Sequence, residues 1–303
     1  MLVNSFRAHT SIIYRIKQSL FNNNNNDLVA TCSGDKTVKI WNISNISNWT
    51  LLRTYKDHNT TVYSLEWINA DTIASGSYDQ TIRIWSISTG QTNIIINASS
   101  IVYSLKLLKN GFYLASALSN GKIKIYNVND NGNLISTLDG HTSNVRDLTL
   151  ISDDLLASSS GYPDQTIRIW NLTTNSAKYI LKGHPNSVYG LRLMSSDILA
   201  SGSADNSTKL WNITSGSLIR TLKNHTNYIY WSVDLINNYD NSQSVLVSGS
   251  LDQTIKIWNY ATGDLLNTVK TTVQIQTLTV LNPSIIETIT TGKGKKFKFR
   301  IVI

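Results

Sequence analysis

The chain of 303 residues carries five histidines, His9, His58, His141, His184 and His225, and one cysteine, Cys32. Imidazoles and thiols are the side chains that most readily act as general bases, metal ligands or nucleophiles near neutral pH, so their placement comes first. All five histidines fall at the same place in a recurring phrase, as in "KDH", "DGH", "KGH" and "KNH". None is left over for general-base or metal duty. The two glutamates, Glu66 and Glu287, are far apart and lack paired context. Cys32 sits between Thr31 and Ser33 on a predicted core strand, where a thiol usually behaves as an inert small hydrophobe. The stretch "GKGKKFKF" lacks the Gly-Lys-Ser/Thr ending of a phosphate-binding loop and precedes a strand, not a helix. No Gly-x-Ser-x-Gly elbow occurs. This supply of groups argues against an enzyme and offers no cofactor or metal site.

The elements around those histidines repeat. "SGSYDQTIRIW" (75–85) returns as "SGSLDQTIKIW" (248–258), "SGSADNSTKLW" (201–211) and "CSGDKTVKIW" (32–41). Trp41, Trp85, Tyr126, Trp170, Trp211 and Trp258 stand 44, 41, 44, 41 and 47 residues apart. A period of ~40–45 residues is the length of one four-stranded propeller blade. Each unit runs from a His to an alternating strand such as "TVYSLEW". A short "xLAS" strand, a turn with Asp, "TIRIW", a turn and a last strand follow. That is strand-and-turn patterning, with no helical period over about twelve residues.

On these phrases the chain resembles the WD40-repeat β-propellers, with the usual Trp-Asp dipeptide spelled Trp-Asn or Trp-Ser. The resemblance implies an all-β, seven-bladed propeller of four-stranded antiparallel blades, one domain over 1–303. The repeats are expected at roughly 9–54, 55–97, 98–139, 140–181, 182–223, 224–269, and 270–303 plus 1–8. The N-terminal strand would pair with the last blade and close the ring, leaving only short exposed edges.

The resemblance also implies a buried His–Ser/Thr–Asp–Trp set in five blades. These are His9, Thr31, Asp35 and Trp41; His58, Ser75, Asp79 and Trp85; His141, Ser158, Asp164 and Trp170; His184, Ser201, Asp205 and Trp211; and His225, Ser248, Asp252 and Trp258. The third blade has no His, with Asn120 for Asp and Tyr126 for Trp. The seventh lacks all three, and Arg300 falls near its Trp position. Both are expected to rest on apolar packing and to be the weakest. The fourth blade's "LASSSGYPDQTIRIW" is two residues longer than "IASGSYDQTIRIW", so Tyr162 and Pro163 should protrude on the face of the His loops.

Five residues after each His stand Tyr14, Tyr63, Arg146, Tyr189 and Tyr230, and alignment adds Tyr103 and Gln276. By resemblance these surround the top mouth of the central channel. Two readings stand: an inherited packing letter, or a ring of amphipathic anchors for a peptide or protein, since Tyr and Arg dominate interface hot spots. Arg146 and Gln276 favour the second. Trp231 can face a neighbouring core or the rim. The turn residues before each Asp, Tyr78, Ser119, Pro163, Ala204 and Leu251, differ from blade to blade. Tyr78 and Leu251 are apolar in expected solvent.

The formal charge is +8. The basic "GKGKKFKFR" (292–300) is either a strand edge guarded by lysines, with Phe297 and Phe299 inward, or a site for an anionic partner. The Phe-Arg-Arg-Gly phrase of phosphoinositide-binding propellers is missing. The connections 18–30 and 236–248 are long, and the Asn run in the first reads as a flexible loop. One cysteine excludes a disulfide framework and a cysteine zinc module. No apolar run approaches ~20 residues, so no membrane span is expected, and the N-terminus does not read as a secretory signal. The expectation is a monomeric, cytoplasmic protein, with the nucleus as an alternative. It would be a non-catalytic scaffold gripping a protein or peptide by its top face. Alternatives are an anionic-ligand binder, for a lipid headgroup or nucleic acid, and a substrate-receptor subunit of a ubiquitin-ligase-type complex.

Overall fold

Period-two alternation becomes antiparallel sheets, each with its strands in chain order from the axis outward. The computed structural model describes residues 8–21, 28–44, 49–108, 111–237 and 244–280, and three short strands within 288–302 by backbone alone. The first sheet consists of Ile13–Gln18, Leu28–Ser33, Val38–Asn42 and Thr50–Tyr55. The innermost strands of the next five are Val62–Trp67, Val102–Leu107, Val145–Ser152, Val188–Leu193 and Val233–Ile236. Neighbouring innermost strands contact one another around the axis. Second strands such as Thr72–Ser77 are buried almost throughout, whereas outer strands such as Leu265–Lys270 are mostly exposed.

The expected seven blades are corrected to six. Among the described residues six four-stranded sheets form, and the C-terminal segment yields two-stranded pairings, Thr279–Val280 with Ile301–Val302 and Thr288–Thr290 with Lys295–Phe297. Its spelling sets it apart: the last repeat has neither the His, Asp and Trp of the five polar sets nor a counterpart of Asn120 and Tyr126, which stand in for Asp and Trp in the third sheet. The N-terminal strand expected to pair with it falls in 1–7, outside the described residues. So do the side chains of the basic stretch, Arg300, the Asn run, and 238–243.

The core lies between sheets. Along each second strand the "LAS" phrase sends Ala to one side and Ser or Thr to the other. Ala30, Ala74, Ala115, Ala157 and Ala200 are all fully buried. Each shares a cluster with the large aromatic of the next sheet: Trp85, Tyr126, Trp170, Trp211 and Trp258 in turn. A methyl group on one sheet makes room for an indole from the other, so no sheet buries its faces alone.

Five sheets hold a closed polar set. In the fifth, Trp211 Nε1 donates to Ser201 Oγ at 2.8 Å, His184 Nε2 meets the same oxygen at 2.8 Å, and His184 Nδ1 meets Asp205 at 2.6 Å. The corresponding His–Ser/Thr contacts are 2.7 Å at His9, 2.8 Å at His58, 2.7 Å at His141 and 2.9 Å at His225. The indoles of Trp41, Trp85, Trp170 and Trp258 donate within 2.9 Å. One proton arrangement satisfies every member: Nδ1–H donates to the carboxylate, and the hydroxyl donates to Nε2 while accepting from the indole. Burial pulls His9, His141, His184 and His225 below their usual value, against the opposing pull of the carboxylates. Burial alone would raise Asp35, but hydrogen bonds from Thr37 and Thr10 and the charge of His9 outweigh it and hold the carboxyl at about 2.

The residue after each Asp adopts a left-handed conformation: Lys36, Gln80, Gln165, Asn206 and Gln253, with φ from 56° to 71°. Strain of this kind persists where its surroundings over-determine it; here the Asp accepts the backbone N–H two residues on, as Asp79 does from Thr81 at 3.0 Å. In the third sheet, where Asn120 replaces Asp, Gly121 takes the position, and a Cβ there would meet His141 O at 2.5 Å.

Asp205→Ala should cost about 1–3 kcal/mol by orphaning a buried N–H, read as a lower melting temperature. Acid should weaken the fold in two stages. The fold favours neutral imidazole, so stability is full above the usual histidine value of 6.5 and declines as pH falls below it. The Asp35 contribution is present above 3.8 and is lost as pH falls through about 2. A melting temperature that rises on acidification below 6.5 contradicts this assignment.

Candidate functional site: the channel mouth

Five of the six innermost strands begin with a register break. Val62 pairs Ser77 but Ser64 pairs Gly76, so Tyr63 is the extra residue of a bulge. Tyr14, Tyr103, Arg146 and Tyr189 are the extra residues at the same point of their sheets. A bulge releases a side chain from the strict alternation of the strand and re-aims it. All five are half-buried, although Val or Ile precedes each in the core.

The re-aimed side chains form a chain of ring contacts. Tyr14 and Tyr63 lie 4.7 Å apart between centroids, and Tyr63 and Tyr103 5.2 Å. The Arg146 guanidinium sits over Tyr103 at 4.5 Å and Tyr189 at 5.3 Å. Tyr189 meets Tyr230 at 4.5 Å. Trp231 then closes the circuit, stacked on Tyr230 at 5.9 Å and edge-on to Tyr14 at 6.0 Å. Burial pushes the Tyr63 hydroxyl up to about 12, with Tyr14 and Tyr103 adding to the shift, so it stays protonated at neutral pH.

Trp231 takes neither of the two places open to it in the sequence. It lies across the mouth as a floor, its indole donating to Arg146 O at 3.2 Å, with the Arg15 guanidinium against its face at 5.1 Å. Two features let it cross. The sixth strand has one residue more than its counterparts, because Val233 pairs Ser248 as Leu65 pairs Ser75, yet Val233 lies three residues after Tyr230 whereas Leu65 lies two after Tyr63. Gly190 also stands where other sheets have Ser64, Ser104 or Asp147, and a Cβ there would lie 2.7 Å from Tyr230 O. Gln276 is half-buried beside Thr277, whose hydroxyl donates to Trp231 O at 3.3 Å.

Below this floor lies a cavity of about 520 Å³, lined by Arg15, Lys17, Glu66, Lys106, Asp147 and Arg192 among others, and by Trp231; none of the mouth tyrosines lines it. Its charges are mutually paired. Arg15 reaches across the channel to Asp147 at 2.5 Å. Asp147 also accepts from Ser104 Oγ and Leu191 N, both at 2.9 Å. Glu66 bonds Lys17 and lies 3.5 Å from Lys106. Burial alone would raise the Glu66 carboxyl; Lys106 and Lys17 outweigh it and hold it below its usual value. Arg192 meets Asp234 at 2.9 Å, and Asp234 accepts from Val280 N at 2.8 Å. Glu66, isolated in the sequence, is thus the centre of an ionic triad across three sheets.

Around the mouth, Tyr162 is 70% exposed and Tyr78 51%, with Ile12 and Tyr228 also exposed. Pro163 is exposed, Ser119 and Leu251 are half-buried, and Ala204 is buried. The Tyr162 loop is held by Ser143 Oγ, donating to its carbonyl at 2.8 Å, and by its own N–H to Ser187 Oγ at 2.9 Å. Cys32 is fully buried, and burial pushes its thiol up to about 12. Among the described residues no group of three His, Cys, Asp or Glu could hold a metal, and no helix is long and apolar enough to cross a membrane.

Gly190→Ala should push the Tyr230–Trp231 backbone away from the Gly190 strand at a cost of about 1–3 kcal/mol, as overpacking does. It should show as a lower urea midpoint; an unchanged midpoint would mean the backbones are not held in contact.

The WD domain, G-beta repeat family model matches residues 1–42, 49–86, 91–127, 132–171, 175–212 and 216–259. That is six repeats, in agreement with the six sheets. The WD repeat and SOCS box-containing protein 1 of Xenopus tropicalis is 40% identical over 88 residues, 29% of this chain and 21% of that protein. The human protein of that name is 43% identical over 77 residues, 25% of this chain and 18% of its own length. Nuclear distribution protein PAC1 of Candida glabrata is 28% identical over 257 residues, 68% of this chain and 53% of its own. The chain thus spans only about a fifth of the length of the SOCS box relatives. The WD40 β-propeller domain of Doa1 superimposes with a TM-score of 0.75 at 20% identity, over 92% of this chain and 89% of that one. With six matched repeats, six four-stranded sheets and five His–Asp–Trp sets, the chain belongs to the WD40-repeat, or WD domain G-beta repeat, family.

Proposed function

We propose that this propeller is a non-catalytic scaffold that holds a peptide or loop of a partner protein on its top face. The closed aromatic circuit at the channel mouth, rimmed by exposed Tyr78, Tyr162, Tyr228 and Ile12, carries the reading. Half-buried tyrosines locked by their neighbours offer apolar area and hydroxyl donors, and they lose little side-chain freedom when a partner docks. The non-catalytic part of the reading draws support from the imidazoles: all five are committed to hydrogen bonds with Ser or Thr and Asp. An anionic ligand in the channel is less well served, because the cations there face carboxylates. The receptor-subunit reading draws support from relatives whose names join WD repeats to a SOCS box.

Tyr78→Ala combined with Tyr162→Ala removes exposed rings and should alter stability by no more than about 0.5 kcal/mol. Affinity capture from native cell extract, at low and high salt, should lose at least tenfold of a protein that the wild type retains at both. Equal recovery by both forms would remove the top face from consideration.

A further inference from the structure

We propose that Arg146 is the recognition point for an acidic side chain, an aspartate or glutamate on the peptide segment that docks at the mouth. This rests on the top-face reading above and goes further by naming the chemistry of the partner.

Arg146 is the one charged member of the aromatic circuit. The other cations of the innermost strands have anions: Arg15 has Asp147, Lys17 and Lys106 have Glu66, and Arg192 has Asp234. Among the described residues no carboxylate lies within ion-pair distance of Arg146, and its buried Nε has no acceptor. Its neighbour in sequence, Asp147, is spent on Arg15, Ser104 and Leu191 N. Asp164 and Asp205, the polar-set carboxylates of its own and the next sheet, are spent on His141 and His184.

The guanidinium is nonetheless held as a receptor would be. Its central carbon lies over the rings of Tyr103 and Tyr189, an arrangement that holds the group by its faces and not by its N–H donors. Its backbone is pinned by the Trp231 indole on Arg146 O. A cation already stripped of water by aromatic faces gains from a bidentate carboxylate. One cation matches one carboxylate; a phosphate of about −2 would be left half-neutralised. The +8 charge of the chain steers acidic partners towards it.

The test is selection of a phage-displayed random heptapeptide library on the full chain. The wild type, R146Q, R146E and Tyr78→Ala/Tyr162→Ala are used in parallel, each checked for an unchanged melting curve. Wild-type selection should enrich Asp or Glu at one position. The selected peptides should bind R146Q at least tenfold more weakly, and their Asn or Gln versions should bind wild type and R146Q alike. R146E should instead select Lys or Arg, which keeps the test open if R146Q is unstable. Peptides that depend on Tyr78 and Tyr162 but not on Arg146, or that carry no acid, overturn the inference and leave the top-face reading standing. Peptides indifferent to all these residues, or an empty selection, overturn both.

Discussion

One hydroxyl per sheet governs the assembly. Ser75, and its counterparts Thr31, Ser158, Ser201 and Ser248, accepts an indole N–H and donates to an imidazole within a layer that excludes water. The hydrogen bond fixes the indole, and the fixed indole is what the preceding sheet's alanine packs against. Polar satisfaction inside one sheet thereby sets the apolar fit between two. The third sheet shows what substitutes when the set is missing: Tyr126 fills the Trp volume, and Gly121 accepts the turn that Asp would otherwise stabilise.

The same repeat creates the mouth. A bulge at one point of five innermost strands takes a residue out of the alternation, and that residue is Tyr or Arg in every case. Three residues further on, strict alternation has resumed and delivers Lys17, Glu66, Lys106 and Arg192 to the channel wall. Aromatic mouth and ionic wall are consecutive products of a single strand, separated by one irregularity in its register.

Much of this was readable in the chain. The polar sets were, because four residue types recur at fixed offsets, and so was the equivalence of Tyr14, Tyr63, Tyr103, Arg146 and Tyr189. The number of blades was not. Alternation in 270–303 marks strands but carries no information on whether anything locks them into a four-stranded unit. The ionic pairs were hidden because they depend on circular neighbourhood: Arg15 and Asp147 are 132 residues apart and meet only across the axis. Trp231 was hidden because its course depends on one added residue in its own strand and on a missing side chain at Gly190 in another.

The indole floor makes the molecule a cup with two separate rims rather than a tube. A chain settling on the tyrosines meets the Trp231 ring before it meets the paired charges of the ionic chamber, because that ring touches the tyrosines and lines the chamber. One indole thus divides the axis chemically, with aromatic surface and a single guanidinium on one side and paired charges on the other.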